Sequence, residues 1–267
     1  AILKQVQDQN LNYEIISTDV KTLDISNLDQ VKSTVLTHKP DVIINCAAYT
    51  AVDNCETDVE GAYKVNAIGP RNLAVVAEEL NAKLVHVSTD YVFKGESLGR
   101  DWREDDQVEP QSIYGTSKLM GEKYIQNFSS KYFIVRTAWL YGEGNNFVRT
   151  MIKLAQTNPE LKVVNDQVGN PTSTKDLAIA ILNLAKTELY GIYHGTCEGT
   201  CSWYDFACKI FEIKGIDIKV TPVTSEQFIR PAKRPAFSSL ENFMLECEGL
   251  NTFRRWEDAL EDYLQGE

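Results

Sequence analysis

The sequence predicts an α/β fold: a doubly wound parallel sheet (Rossmann-like) with a small lobe interleaved toward the C-terminus. Three observations carry this. Strand-length and helix-length segments alternate through the first half, the order that builds parallel sheets. Asp41–Cys46 (DVIINC) and Tyr132–Thr137 (YFIVRT) are nearly unbroken apolar runs, as a parallel strand covered on both faces requires. Small and hydroxyl-bearing residues follow such runs, at the strand ends where open α/β sheets bind ligands.

Taken in order, Ala1-Ile2-Leu3-Lys4 reads as the middle of a helix, and Tyr13–Thr18 (YEIIST) as a short strand closed by the polar turn Asp19–Thr22. Leu28–Thr37 has helical spacing and stops before Pro40, after which DVIINC forms the next strand. Gly61–Asn81 reads as one long helix with apolar positions at Ala62, Val65, Leu73, Val76, Ala77 and Leu80. Lys83–Ser88 (KLVHVS) is a strand, Ser112–Phe128 a helix, and YFIVRT a further strand. Beyond Tyr141 the pattern loosens. Phe147–Gln156 and Thr174–Lys186 are helical, Leu161–Asn165, Gly191–Gly195 and Gly215–Pro222 are short strands, and a helix around Trp256–Leu264 follows the break at Pro231–Pro235. The expected division is 1–141 for a dinucleotide-binding domain and 142–267 mainly for a substrate lobe interleaved with it.

A net charge of −11 and a pI near 4.9 argue against nucleic acid or an anionic membrane as partner. No apolar run reaches the ~18 residues a membrane helix needs, and no charged-then-apolar leader pattern opens the chain. Cys46 lies in an apolar strand and Cys208 in a helical pattern, so both read as small core residues. Cys197 and Cys201 lack a second pair or a His cluster, the wrong setting for zinc. The expectation is a cytoplasmic protein without a metal site, and the sequence lends magnesium no support.

The chemistry concentrates at Tyr114-Gly115-Thr116-Ser117-Lys118. Positions i and i+4 share a helix face, so the Lys118 ammonium can approach the Tyr114 phenol. A nearby positive charge favours the phenolate, and a tyrosine tuned this way can exchange a proton with a carbonyl oxygen. Upstream, KLVHV ends in Ser88-Thr89-Asp90. A hydroxyl there faces the ligand crevice and can hydrogen-bond the same carbonyl, while Asp90 could equally cap backbone amides in a turn. DVIINC ends in Ala47-Ala48-Tyr49-Thr50, whose small residues would let a flat cofactor approach the backbone or pack tightly.

At these residues the sequence resembles the extended short-chain dehydrogenases, and within them the dTDP-4-dehydrorhamnose reductase family. The likeness runs through NCAAYTAVDNCE (45–56), KVNAIGPRNLA (64–74), VSTDYVFKG (87–95), YGTSKLMGE (114–122), VRTAWLYG (135–142), NNFVRTM (145–151), DQVGNPTST (166–174) and RPAKRPAFSSL (230–240). It implies reduction of C4 of dTDP-4-dehydro-L-rhamnose to dTDP-L-rhamnose by NADPH or NADH. Tyr114 would donate the proton, Lys118 would lower its pKa and hold the nicotinamide ribose, and Thr89 would orient the carbonyl. The cofactor would meet Asp19 at its adenosine ribose, Asp24 and Ile25 beside adenine, and Ala48, Tyr49 and Thr50 along its length, with Asn66 near the crevice or simply on a helix surface. The sugar would meet Val52, Asp90 and Trp139. An aromatic face suits a sugar ring, although Trp139 read unaided is packing. Arg230, Lys233 and Arg234 would clamp the nucleotide diphosphate, or form an ordinary solvated loop. The expected partner is a dTDP-linked 4-keto-6-deoxy sugar, and a homo-oligomer stays open.

One departure bears on this reading. A dinucleotide fold opens with a strand and a Gly-rich turn, yet the first glycine here is Gly61. The expectation is that the native protein carries that opening upstream of Ala1. The alternatives are another nucleotide-sugar reductase or epimerase, and a catalytically silent relative serving as a regulatory subunit. The intact Tyr114, Lys118 and Thr89 set argues against the latter.

Overall fold

The computed structural model describes residues 1–266. In chain order the elements are α1 (Ile2–Asp8), α2 (Leu28–His38), β1 (Val42–Asn45), α3 (Val52–Cys55), α4 (Val59–Tyr63), a π-turn (Lys64–Ile68), α5 (Gly69–Glu79) and β2 (Lys83–Thr89). After a 3₁₀ turn at Asp90–Val92 come α6 (Ile113–Phe128), β3 (Tyr132–Thr137), β4 (Leu140–Tyr141), α7 (Phe147–Ala155), β5 (Glu160–Val164), β6 (Val168–Gly169) and β7 (Thr172–Ser173). The chain continues through α8 (Thr174–Ala185), β8 (Gly191–His194), β9 (Cys201–Ser202), α9 (Trp203–Lys214), β10 (Lys219–Val223), α10 (Phe243–Cys247) and α11 (Trp256–Gln265).

A parallel sheet in the order β1-β2-β3-β8 forms the centre. Successive strand residues point to opposite faces, and the core divides accordingly. Leu84 and Ile134 pack with Val31 and Val35 of α2, Leu73 and Val76 of α5 and Ile125 of α6. Val85, Phe133 and Val135 face the other way, onto Leu177 and Ile181 of α8 and the aromatic lobe of Tyr141, Phe206 and Trp256. β8, from the second half, completes this sheet rather than standing in a separate lobe. β5 and β10 form a parallel pair of their own.

Several expectations need correction. Tyr13–Thr18 is exposed and enters no ladder, because an extended run becomes a strand only when its backbone groups find a partner. DVIINC yields the edge strand β1, of which only Asn45 is fully buried, so its apolar run is covered less than the pattern suggested. Cys46, just beyond it, is exposed, and Cys208 is only partly buried. The helix expected over 61–81 breaks at the π-turn, since Pro70 has no N–H for the Asn66 carbonyl and its ring crowds that group. The strand expected from Gly215 starts at Lys219, because Gly215 is the left-handed cap that closes α9 at φ 62°; glycine adopts that conformation without penalty.

Candidate active site

Four segments meet at the carboxyl ends of β1 and β2: the Asn45–Thr50 loop, the Thr89–Val92 turn, the π-turn and the first turns of α6. Ser112 caps α6 by accepting from Gly115 N–H at 3.1 Å. Gly115 is required by the approach of Tyr91: a Cβ there would lie 2.2 Å from the Tyr91 carbonyl oxygen. That contact seats Tyr114 edge-on against the Tyr91 ring, 5.4 Å between centroids.

Thr89 Oγ1 donates to Asp90 Oδ1 at 2.9 Å and accepts from Tyr91 N–H at 3.2 Å. Asp90 Oδ2 is buried with no hydrogen-bond partner among the described residues. Burial pushes the Asp90 carboxyl up to about 6, against the pull of neighbouring hydroxyls. Burial also drives the Tyr114 phenol above its ordinary value, with the Thr89 hydroxyl opposing. Lys118 does not bond Tyr114; its Nζ donates to the Val87 carbonyl at 2.7 Å and stands 3.2 Å from His86 Nε2. Sharing a helix face set the two residues near each other, but the buried strand end claimed the lysine.

Asn66 is held inside the protein. Its Oδ1 accepts from Tyr49 N–H (2.8 Å), and its Nδ2 donates to the Tyr49 carbonyl (3.2 Å) and Ser117 Oγ (3.1 Å). With both amide protons used and the side chain buried, Asn66 straps the Tyr49 loop to α6. Ala48, Tyr49 and Thr50 line the loop it holds, and Val52 opens α3, partly buried.

The outlying residues fall as follows. Asp19 lies in an exposed turn, its carboxylate accepting from Lys21 and Thr22 N–H. Asp24 accepts from Ser26 Oγ at 2.6 Å, which lowers its pKa. The Ile25 carbonyl accepts from Asn72 Nδ2, and its side chain lies against Gly69. Trp139 stacks on Trp203 at 3.5 Å and 8°, so one ring face is already covered. Arg234 and Arg230 turn to Asp53, at 3.0 and 3.8 Å, a partner not foreseen. Lys233 and Arg234 line a cavity of about 100 Å³ with Tyr91, Lys94 and Gln111. Arg230 and Arg234 share the single Asp53 carboxylate, while Lys233 lines the cavity together with Glu96.

Sequence reasoning missed Asp53, Trp203 and above all His86. The signal for His86 was available: it is the one polar side chain inside the apolar run LVHV. Among the described residues no cluster of His, Cys, Asp and Glu could hold a metal, and no helix is long and apolar enough to cross a membrane.

The profile of the RmlD substrate binding domain matches residues 1–267. The chain is 42% identical over 260 residues to the spore coat polysaccharide biosynthesis protein SpsK of Bacillus subtilis (strain 168), covering 97% of this chain and 91% of that protein. A dTDP-4-dehydrorhamnose reductase structure from Clostridium acetobutylicum ATCC 824 superposes with a TM-score of 0.96 at 53% identity, covering 99% of this chain and 93% of that one. One from Bacillus anthracis str. Ames, in complex with NADP, gives 0.96 at 43% identity, covering 100% and 95%. On the whole-chain match and these identities, the chain belongs to the dTDP-4-dehydrorhamnose reductase family.

Proposed function

We propose that the protein reduces the C4 keto group of dTDP-4-dehydro-L-rhamnose to dTDP-L-rhamnose in dTDP-rhamnose biosynthesis, with NADPH or NADH. The observation that carries this reading is the convergence of Tyr114, Thr89 and the unpartnered Oδ2 of Asp90 at the end of β2. The residues present suit a dinucleotide along the nicotinamide side: Lys118 and the Ala48–Thr50 loop border the same strand ends. Asp19, Asp24 and Ile25 would serve its adenosine end, and no Gly-rich turn lies among the described residues. When bound, the dinucleotide supplies the hydride.

The chain's own residues do the rest. Tyr114, kept protonated by its burial, donates its phenolic proton to the ketone oxygen, and Thr89 orients that oxygen. Asp90 Oδ2 accepts from a sugar hydroxyl, which would satisfy its missing hydrogen bond. Trp139 offers its uncovered side to the sugar, which Val52 would also contact. Arg234, Arg230 and Lys233 answer the diphosphate, whose negative charge would compete with Asp53 for the guanidinium groups. The six free cysteines fit a reducing cytoplasm.

Steady-state assays test the assignment. Oxidation of NADPH or NADH should depend on a dTDP-linked 4-keto-6-deoxy sugar and respond little to short-chain ketones. Equal rates with aliphatic ketones would show that the site does not recognise a nucleotide sugar.

A further inference from the structure

The direction of hydrogen bonding along one buried chain of side chains says more about Lys118. The chain starts at a backbone group that can only donate. Ala47 N–H donates to Asn45 Oδ1 at 3.0 Å, which turns Asn45 Nδ2 toward His86 Nδ1 at 2.9 Å. An amide NH₂ has no lone pair to offer, so Nδ1 must be the bare, accepting nitrogen. The single proton of the neutral imidazole then sits on Nε2. Nε2 faces Lys118 Nζ at 3.2 Å. An ammonium has three donors and no acceptor, and would set N–H against N–H there. A free amine accepts from Nε2–H and still donates to the Val87 carbonyl at 2.7 Å. Every member of the chain is satisfied only if Lys118 is uncharged.

We propose that Asn45 and His86 act as a tautomer lock that favours the free-amine form of Lys118 in the ligand-free protein, and so lowers the pH above which reduction fails. His86 is a positioning residue in this scheme: it acts on Tyr114 through Lys118. The surroundings agree with the lock. Burial pushes Lys118 down to about 8 and holds His86 well below the ordinary imidazole range. The opposing charge is Glu122, on α6; the nearby Cys46 thiol, beyond β1, is itself pushed up by burial and stays neutral. Glu122 is already committed to Arg136 of β3 at 2.8 Å and to Ser88 Oγ. Tyr114, the remaining titratable neighbour on α6, keeps its proton through burial. Because a positive neighbour makes the phenol a better proton donor, activity should rise as falling pH charges Lys118.

Magnetic resonance reads the lock directly. The protein holds three histidines, so ¹⁵N spectra of the ring nitrogens should resolve His86 as the Nε2–H tautomer. Lysine ¹³Cε titration should show Lys118 losing its proton well below the other lysines. An Nδ1–H tautomer, or Lys118 titrating with the rest, overturns the proposal. Asn45→Asp keeps the bond from Ala47 but accepts from Nδ1–H, reversing the chain so that Lys118 donates as an ammonium. Its pKa should rise by about one unit or more, and the basic limb of kcat/KM should move up with it. His86→Phe removes the facing N–H without adding charge and should shift Lys118 the same way. A rise in Asn45→Asp alone would mean simple charge attraction and no lock. A purely structural role would depress activity at all pH and leave the limb in place. The kinetic limb rests on the reductase reading; the resonance measurements do not, so the two can fail separately.

Discussion

Two residues carry the sharpest consequences for the site. Tyr114 is the group positioned to give a proton to the ketone. Replacement by Phe removes one hydroxyl from a ring whose edge contact with Tyr91 is unaffected. Tyr114→Phe should lower turnover at least ~10²-fold, the lower range for a positioned acid, with an unchanged melting temperature. Near-normal turnover in that variant would remove Tyr114 from the mechanism. Asp90 works differently, because an ionised oxygen with no partner is a cost to the fold. Its folded pKa, about 6, is raised above the ordinary carboxyl value, so the stabilising contribution of the protonated form is complete at low pH. That contribution is lost as pH rises through about 6. Asp90→Asn should therefore stabilise the protein by about 1–3 kcal/mol above this range, with the gain vanishing near pH 4. The same variant should bind the sugar more weakly. Thermal melts at the two pH extremes, paired with substrate titration, would check both halves. Equal melting at high pH would mean that Asp90 is better solvated than its burial implies.

At the scale of elements, the site depends on how closely α6 approaches the π-turn. A Cβ on Gly121 would stand 2.2 Å from the Asn66 carbonyl oxygen, and Asn66 holds the Tyr49 loop. Two effects of Gly121→Ala compete. Alanine is worth about 1 kcal/mol over glycine in a helix interior, but forcing atoms into a closed contact costs about 1–3 kcal/mol. The obstructing atom is backbone in a buried turn, so the overlap should win. The variant should unfold at lower denaturant and lose activity, because displacing Asn66 moves both the Tyr49 loop and Ser117. A stabilised, fully active Gly121→Ala protein would show that α6 and the π-turn can separate freely. The π-turn itself exists because Pro70 interrupts the helical ladder, and it places Asn66 where a regular helix would not.

For the whole molecule, the decisive feature is that the halves share one sheet and one core. β8 pairs with β3, and Val85, Phe133 and Val135 belong to the same cluster as Leu177, Phe206 and Trp256. Arg254 ties α8 to α11 through Asp176 and Asp262, at 2.9 and 2.8 Å. A lobe built this way has no separate core with which to survive the loss of the sheet. Unfolding should therefore be one transition. Trp102, Trp139, Trp203 and Trp256 all lie outside the sheet strands, so their fluorescence reports the side-chain packing around the sheet while far-UV circular dichroism reports the whole chain. The two melting curves should superimpose; a fluorescence transition at distinctly lower temperature would mark the lobe as an independent unit.

The sequence by itself determined the elements whose type is decided locally. Apolar runs at β2 and β3, helical spacing in α2, α7 and α8, and the Ser112 start of α6 were all legible, because periodicity expresses which face of a segment leaves water. The i, i+4 spacing placed Tyr114 and Lys118 on one helix turn, and the strand-end hydroxyls of Ser88 and Thr89 pointed to the crevice. Tertiary structure alone decided what depends on partners far along the chain. Tyr13–Thr18 has strand character without a ladder, while Gly191–His194 has it and joins the central sheet; nothing within either segment distinguishes them. Arg230 and Arg234 turned to Asp53, Trp139 to Trp203, and Asn66 to the Tyr49 backbone. Lys118 turned from Tyr114 to Val87 and His86. In each case a side chain's charge or shape was readable from the sequence. Its partner was not, because burial obliges a polar group to take whichever donor or acceptor the packed fold brings within reach.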